Sequence, residues 1–163
     1  MEIKKVGVVG CGLMGAGIAE TAAKAGYAVT VREVNEELLK KGRARIEASL
    51  SKAVEKGKAT PEDKEAALGR ITGTIKLSDL SECDLVIEAV IENMAEKKKL
   101  FKELDGTVKP SALFASNTSS LPITDMAAVT ERGANFVGLH FFNPVPVMKL
   151  VEVVKTEIGR AHV

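Results

Sequence analysis

The sequence predicts an α/β protein with a doubly wound, mostly parallel sheet and helices on both of its faces. Short apolar runs alternate along the chain with longer amphipathic or alanine-rich segments, so strand and helix signals follow one another in a regular order. The apolar runs are nearly continuous, which is typical of strands that are buried on both faces. A length of 163 residues suits one domain with its own core.

The elements of the first half follow from apolar spacing and from helix end signals. An alanine-rich helix precedes Gly26, which suits a glycine C-cap, and a short helix begins at the cap-then-proline sequence Thr60-Pro61. A long amphipathic helix lies between them. The predicted strands are 6–9 and 28–31, and the predicted helices are 13–25, 35–56 and 60–69.

The second half continues the alternation, with more strands than helices. Its strongest strand signal is the apolar run 85–90, and a helical pattern follows from Asn93. No internal repeat, linker or low-complexity run interrupts the sequence, so we expect a single domain. The predicted strands are 71–75, 85–90, 113–116, 136–142 and 150–154, and the predicted helix is 93–104.

Composition argues against several classes of partner. The 23 basic and 22 acidic residues almost cancel, and aromatic residues are 4% of the chain with no Trp, which argues against a nucleic-acid binder. No apolar run reaches about 18 residues, so we predict no membrane association through a spanning helix. Cys11 and Cys83 are too few for a metal site or a disulfide framework, and they favour a reducing, cytoplasmic location.

The segment GCGLMGAGIAE, residues 10–20, follows the first strand and opens the first helix. Its G-x-G-x-x-G spacing predicts a Rossmann-type dinucleotide site: Gly10 makes a tight turn, Gly12 lets the backbone approach a pyrophosphate, and Gly15 lets the helix pack on the strand. The helix N-terminus offers free N–H groups and a positive dipole end to the phosphates. The candidate cofactor-binding residues of this loop are Gly10, Cys11, Gly12, Leu13, Met14 and Gly15.

Glu33 ends the second predicted strand, where an acidic residue is expected to accept hydrogen bonds from ribose hydroxyls. A carboxylate there repels a 2′-phosphate and favours NAD over NADP, although the neighbouring Arg32 weakens that preference. The alternative interpretation is that the glycines serve only to pack the helix, and the presence of Glu33 argues against it. Gly17 is the exception and is interpreted as a packing residue. Cys11 is interpreted as a small filler of the loop rather than a reactive thiol.

Three polar segments follow later strands, at residues 87–101, 115–124 and 138–152. In an open parallel sheet, ligands bind beyond the carboxyl ends of the strands, so these segments are candidates for the chemistry. His140 is the natural proton acceptor near a nicotinamide, and spacing alone does not decide whether Glu152 or Glu92 orients it. Ser119 is a candidate hydrogen-bond donor to a substrate oxygen. The competing interpretation of His140 is a satisfied core histidine.

Four motifs, in this order, resemble the N-terminal domain of the 3-hydroxyacyl-CoA dehydrogenase family, which includes the bacterial 3-hydroxybutyryl-CoA dehydrogenases. They are GCGLMGAGIAE, EAVIEN at 88–93, SNTSSLPIT at 116–124 and HFFNPVPVMKLVEVV at 140–154. The last motif is long and highly specific. Together the motifs extend the resemblance over residues 1–156, which are expected to form a Rossmann domain that binds NAD.

The resemblance implies reversible oxidation of an L-3-hydroxyacyl-CoA to the 3-ketoacyl-CoA, with hydride transfer to NAD. His140 matches the catalytic histidine, Glu152 its paired carboxylate, and Ser119 a serine that contacts both nicotinamide and substrate. The competing interpretation of Lys56 is a solvated surface, Lys98 and Lys99 are interpreted as solvated neighbours of Lys97, and Glu88 is interpreted as buried strand-end structure. The resemblance implies cofactor contacts from Glu92, Lys97, Ser119 and Asn143, and contacts with the CoA portion from Ser49 and Lys56.

Family members generally carry a second, helical domain that supplies the main dimer interface and closes over the acyl-CoA, and the motifs of this chain end before it. We therefore expect residues 1–156 to bind NAD, to need the absent lobe for efficient catalysis, and to self-associate through apolar surface. Residues 157–163 match nothing in the family and are expected to be an expression remnant or the product of a shortened frame, so His162 receives no role. Glu33 stands where relatives often carry Asp.

Two other functions stay open on the sequence. One is a non-catalytic NAD- or CoA-binding or structural relative with the same fold, since fold alone does not secure activity. The joint presence of Ser119, His140, Asn143 and Glu152 argues against it. The other is a Rossmann dehydrogenase that acts on a free hydroxy acid, and the motif at 140–152 argues against that reading.

Overall fold

The computed structural model describes residues 2–156, which form one seven-stranded sheet with helices on both faces. The predicted α/β class with a mostly parallel, doubly wound sheet is confirmed. The strands are Lys5–Val9 (β1), Ala28–Arg32 (β2), Ile71–Thr74 (β3), Leu85–Glu88 (β4), Leu113–Ser116 (β5), Phe136–Phe141 (β6) and Val151–Lys155 (β7). The α-helices are Leu13–Lys24 (α1), Glu36–Glu55 (α2), Pro61–Gly69 (α3), Met94–Thr107 (α4) and Ile123–Ala127 (α5).

The strand order is β3-β2-β1-β4-β5-β6-β7. The first six strands pair in parallel, whereas β7 pairs antiparallel with β6. The order reverses between β1 and β4, so the loops that leave these two strands turn to opposite sides and open a crevice at their carboxyl ends. This crevice is where a parallel sheet of this type binds its ligands.

Two apolar clusters hold the helices to the sheet. On one face, α1, α2 and α3 pack through residues such as Ile18, Ile46 and Ala67 against the valines of β1 and β2. On the other face, Phe101 of α4 packs against Phe114 and Phe136, with ring centroids 5.7 and 4.6 Å away. These clusters bury the aliphatic strands on both faces, as their continuous apolar sequences predict.

Glycines set the close approach of α1 to its neighbours. A Cβ at Gly15 would lie 1.8 Å from the carbonyl oxygen of Gly10, and a Cβ at Gly17 would lie 2.8 Å from Val145 Cβ. Gly15 therefore allows the helix to pack against the loop before it. Gly17 is a packing glycine, as predicted, and it seats the loop that follows β6 against α1.

The structure differs from the predicted elements mainly at their ends. The predicted strand 85–90 ends at Glu88, because the side chain of Glu88 accepts a hydrogen bond from Val90 N at 2.7 Å and turns the chain. Helix α5 falls in a segment for which no helix is predicted. The proposed tail 157–163, with His162, lies outside the described residues. No helix within residues 2–156 has the length and apolar character needed to cross a bilayer.

One face of the last two strands is only partly covered, by α1, in the described part of the chain. Leu139 and Phe141 of β6 lie opposite Val153 and Val151 of β7, so their side chains share the α1 side of the sheet. Leu139 and Phe141 also line an apolar cavity of about 210 Å³ beside α1, and Val153 is 62% exposed. We call these four residues the open β6–β7 face.

Candidate functional site

A cavity of about 450 Å³ lies at the carboxyl ends of β1, β2 and β4. The glycine loop forms one wall, the end of β2 forms another, and the first turns of α4 close the far side. The cavity spans the point at which the strand order reverses, which is the predicted ligand position. Its lining residues include Gly10, Gly12, Glu33, Val34, Val90 and Ile91.

The glycine loop has the geometry of a phosphate cradle. Gly10 has a φ of +93°, and a Cβ there would lie 2.6 Å from the carbonyl oxygen of Ala89, so only glycine fits. A Cβ at Gly12 would meet nothing within 4 Å, so the backbone at Gly12 is open to a ligand. Gly12 is the N-cap of α1 and makes no side-chain cap, which leaves the first N–H groups of the helix available, beside the exposed Leu13 and half-buried Met14.

Glu33 is tied to the glycine loop. Its Oε1 accepts a hydrogen bond from Cys11 N at 2.6 Å, and its Oε2 accepts one from Val34 N at 3.0 Å. Each carboxylate oxygen keeps a lone pair for a ribose hydroxyl. Glu33 therefore both fixes the loop and presents acceptors at the end of β2.

Cys11 is buried, and its thiol lacks the lowered pKa of a reactive cysteine. Burial, and secondly the charge of Glu33, raises the pKa of its thiol to about 11, so it stays protonated at neutral pH. Its sulfur lies against α2, because a Cβ at Gly42 would be 2.2 Å from Cys11 Sγ. The predicted role as a filler of the loop fits this position.

The residues of this crevice fit a dinucleotide. The loop opens backbone at Gly12, the helix end is uncapped by any side chain, and the carboxylate of Glu33 stands one strand away. An acidic group at that position suits a free 2′-hydroxyl rather than a 2′-phosphate. The donor set is that of an NAD site.

His140 and Glu152 form a pair on β6 and β7, at the end of the sheet farther from β2. They lie directly opposite each other on β6 and β7, and His140 Nδ1 is 2.9 Å from Glu152 Oε2. The carboxylate accepts, so Nδ1 carries a proton, and in the neutral form of the ring the lone pair is then on Nε2. His140 is 22% exposed, so it is not a sealed core histidine. The register places Glu152, and not Glu92, beside the imidazole.

The loop after β5 carries Ser119 and is anchored on both sides. Asn117 Oδ1 accepts a hydrogen bond from Phe141 N at 2.9 Å, which ties the loop to the strand of His140. Thr118 Oγ1 accepts from Leu121 N at 3.0 Å and donates to Glu92 Oε1. Ser119, which follows these two anchors, is exposed. Sequence reasoning missed Asn117 and Thr118, although the dense hydroxyl and amide content after a strand was a signal for both.

Lys97 is placed differently from a surface lysine. It is 1% exposed, and its Nζ donates a hydrogen bond to Glu88 Oε1 at 2.5 Å. Glu92 Oε1 lies 3.7 Å from the same Nζ. Lys97 is therefore not part of a solvated lysine surface, whereas Lys99 is exposed and Glu88 is buried, as predicted.

The remaining candidate residues lie around this centre. Asn143 is exposed in the loop that follows β6. Ser49 of α2 lies beside Glu20 of α1, and burial raises the pKa of the Glu20 carboxyl. Lys56 is exposed at the C-terminal end of α2, which leaves both of its interpretations open.

Comparisons with known proteins agree with this geometry. Residues 5–163 match the family model described as 3-hydroxyacyl-CoA dehydrogenase, NAD binding domain. The chain is 54% identical over 155 residues to 3-hydroxybutyryl-CoA dehydrogenase of Mycobacterium tuberculosis, covering 94% of this chain and 54% of the relative. It is 49% identical over 160 residues to human mitochondrial hydroxyacyl-coenzyme A dehydrogenase, covering 94% and 51%.

A solved structure gives the same result. The crystal structure of (S)-3-hydroxybutyryl-CoA dehydrogenase from Ralstonia eutropha superposes with a TM-score of 0.93 at 46% identity, covering 96% of this chain and 55% of that one. The chain thus spans about half the length of the curated relatives that it matches. On its sequence match, its fold and its glycine loop, the chain belongs to the 3-hydroxyacyl-CoA dehydrogenase family and corresponds to the NAD-binding domain of that family.

Proposed function

We propose that this chain is the cofactor-binding half of an enzyme that interconverts L-3-hydroxyacyl-CoA thioesters, such as 3-hydroxybutyryl-CoA, and 3-ketoacyl-CoA. The observation that supports this most is the His140–Glu152 pair, at 2.9 Å, beside the hydroxyl-rich loop of Ser119 and on the same edge of the sheet as the dinucleotide crevice. The names of its relatives supply the substrate class.

In this proposal, His140 Nε2 accepts the proton of the 3-hydroxyl group. Glu152 holds the proton on Nδ1 and stabilises the imidazolium that forms. Ser119 donates a hydrogen bond to the substrate oxygen. A bound NAD would supply the hydride acceptor for the carbon that carries this hydroxyl, and NADH the hydride donor in the reverse direction.

The other candidate residues bind the two long ligands. Glu33 accepts from the adenosine ribose, and Glu92, Lys97 and Asn143 contact the cofactor nearer the reacting carbon. Ser49 and Lys56 contact the CoA portion, where a lysine is a suitable phosphate partner. Residues 1–156 are the NAD-binding unit, and efficient turnover requires the further polypeptide that the longer relatives possess.

The open β6–β7 face supports self-association of this chain, because exposed apolar patches of this kind favour contact with another surface. The two free, buried cysteines support a cytoplasmic location.

The first experiment is a titration with NADH and, separately, with NADPH, followed by nicotinamide fluorescence. We expect saturable binding of NADH and weaker binding of NADPH, because Glu33 repels a 2′-phosphate. Equal affinity for the two would contradict the role of Glu33, and binding of neither by the folded chain would contradict the proposed function.

Substitution of His140 by Gln separates a dehydrogenase from a non-catalytic relative. If His140 is the general base, the substitution should lower the rate of NADH oxidation by acetoacetyl-CoA about 10²–10⁴-fold in a single turnover. The Kd for NADH should not change. An unchanged rate would favour the structural alternative.

A comparison of acetoacetyl-CoA with free acetoacetate tests the substrate class. Equal rates with the free acid and the thioester would favour a free hydroxy acid as substrate.

A further inference from the structure

Beneath the cleft, a buried charge network joins the ends of β4 and β5 to the first turn of α4. Glu88 is fully buried, and its Oε1 accepts hydrogen bonds from Lys97 Nζ at 2.5 Å and from Val90 N at 2.7 Å. Its Oε2 accepts from Ser116 Oγ at 2.5 Å. Because Lys97 is buried as well, its charge has to be compensated inside the protein.

The ammonium group of Lys97 has more N–H donors than it has acceptors among the described residues. Within residues 2–156, Glu88 holds the only acceptor within hydrogen-bond distance of Nζ, which has three N–H groups. Glu92 Oε1, at 3.7 Å, is too distant for a hydrogen bond, and the Glu92 side chain is 45% exposed next to the cavity residue Ile91. A donor and an acceptor at this separation match two neighbouring hydroxyls of a ribose.

We propose that Glu88 is a positioning residue for cofactor binding: it fixes the Lys97 ammonium beneath the cleft, so that Lys97 and Glu92 form a preset donor and acceptor for the nicotinamide ribose. This inference rests on the proposed function, because it takes the dinucleotide as the ligand. Glu88 does not touch the ligand and acts through Lys97.

The position of the loop after β4 along the sheet indicates which of the two riboses of the dinucleotide it would contact. Glu33 directly follows β2, where the proposed function places the adenosine ribose, and His140 lies on β6, where it places the reacting carbon. The loop after β4 lies between them in the strand order. The ribose that reaches this loop is therefore the one that carries the nicotinamide.

The test compares NADH with 5′-AMP, which covers only the adenosine half of the dinucleotide. Glu88→Gln should raise the Kd for NADH about tenfold and leave that for 5′-AMP within about twofold, since one hydrogen bond with a charged group is lost on the nicotinamide side only. Lys97→Met should give the same selective loss. The double variant should lose no more NADH affinity than either single one, because both act through one contact.

Asp84→Asn is the matched control. Asp84 precedes the same strand at its other end and pairs with Lys109 Nζ at 2.6 Å, so this variant should lower stability without changing the ratio of the two Kd values. If Glu88→Gln does not fold, Glu88→Asp keeps the charge, withdraws it from Lys97 by one methylene, and should show the same selective loss.

Three results overturn the positioning role: an unchanged Kd for NADH in folded Glu88 variants, equal losses for NADH and 5′-AMP, or additive losses in the double variant. Failure of the unsubstituted protein to bind NADH overturns the proposed function together with this inference. Normal NADH binding by the unsubstituted protein, with no effect of Glu88 variants, overturns the inference alone.

Discussion

The carboxylate of Asp84 shows how one residue connects fold stability to pH. Its Oδ2 accepts hydrogen bonds from Lys4 N and Lys5 N, both at 2.8 Å, and its Oδ1 accepts one from Lys109 Nζ at 2.6 Å. The hydrogen bond from Lys109, and then those from the two backbone N–H groups, lower the pKa of this carboxyl well below its usual value.

We therefore expect Asp84 to stabilise the fold at neutral pH and to lose that contribution on acidification. A carboxyl with a lowered folded-state pKa adds stability above its unfolded-state pKa, 3.8, and loses it as the pH falls further. Asp84→Asn should lower the free energy of unfolding at pH 7 and flatten its decline below pH about 4. Urea unfolding at several pH values measures this, and parallel curves for the two proteins would contradict it.

At the residue scale, a motif indicates a candidate role from the sequence, whereas burial beside a partner on another element leaves no such signal. The sequence indicated Gly10, Gly15 and Glu33 because backbone and charge requirements leave a pattern in the spacing. It left Glu152 and Glu92 as alternatives for His140, because only the register of β6 with β7 decides between them. It did not indicate that Lys97 is buried, because the partner that makes burial tolerable, Glu88, lies on another element.

At the scale of elements, α1 and the loop after β6 are joined through Gly17. Gly17→Ala would place a methyl group 2.8 Å from Val145 Cβ, and overpacking of this kind should lower the free energy of unfolding by about 1–3 kcal/mol. Gly69→Ala, in α3, is the matched control, because a Cβ there meets nothing within 4 Å and should be neutral or stabilising. Chemical denaturation compares the two, and similar effects would argue against the close contact.

Whole elements were predictable when their apolar pattern was long. Most strands of the parallel sheet and helices α1, α2 and α4 have continuous or periodic apolar sequences, which tertiary packing then reinforces, whereas β3 reads ITGT. Helix α5 has only five residues and follows Pro122 in a segment rich in hydroxyl side chains, so its local signal favours a loop. The antiparallel direction of β7 also leaves no local signal, because a strand sequence does not encode which way its neighbour runs.

At the scale of the whole molecule, we propose that the open β6–β7 face mediates self-association. We expect this chain to self-associate as its concentration rises, and Val153→Lys to shift it toward the monomer, because a charge on this face must be desolvated on contact. Ile75→Lys, at the opposite edge of the sheet, is the control and should have no effect. Sedimentation velocity measures both, and equal behaviour of the two variants would rule out this face as the contact.

The bond between Glu33 and the glycine loop has a consequence for cofactor engineering. Replacement of Glu33 by a neutral or basic residue is the obvious route to an NADP-dependent variant, since it relieves the repulsion of a 2′-phosphate. The same replacement removes the acceptor of Cys11 N, 2.6 Å away, and so releases the loop that has to hold the pyrophosphate of either cofactor. A redesign therefore has to supply a new acceptor for that N–H. In a library that varies Glu33 alone, variants with the desired cofactor preference would bind neither cofactor well and would be rejected.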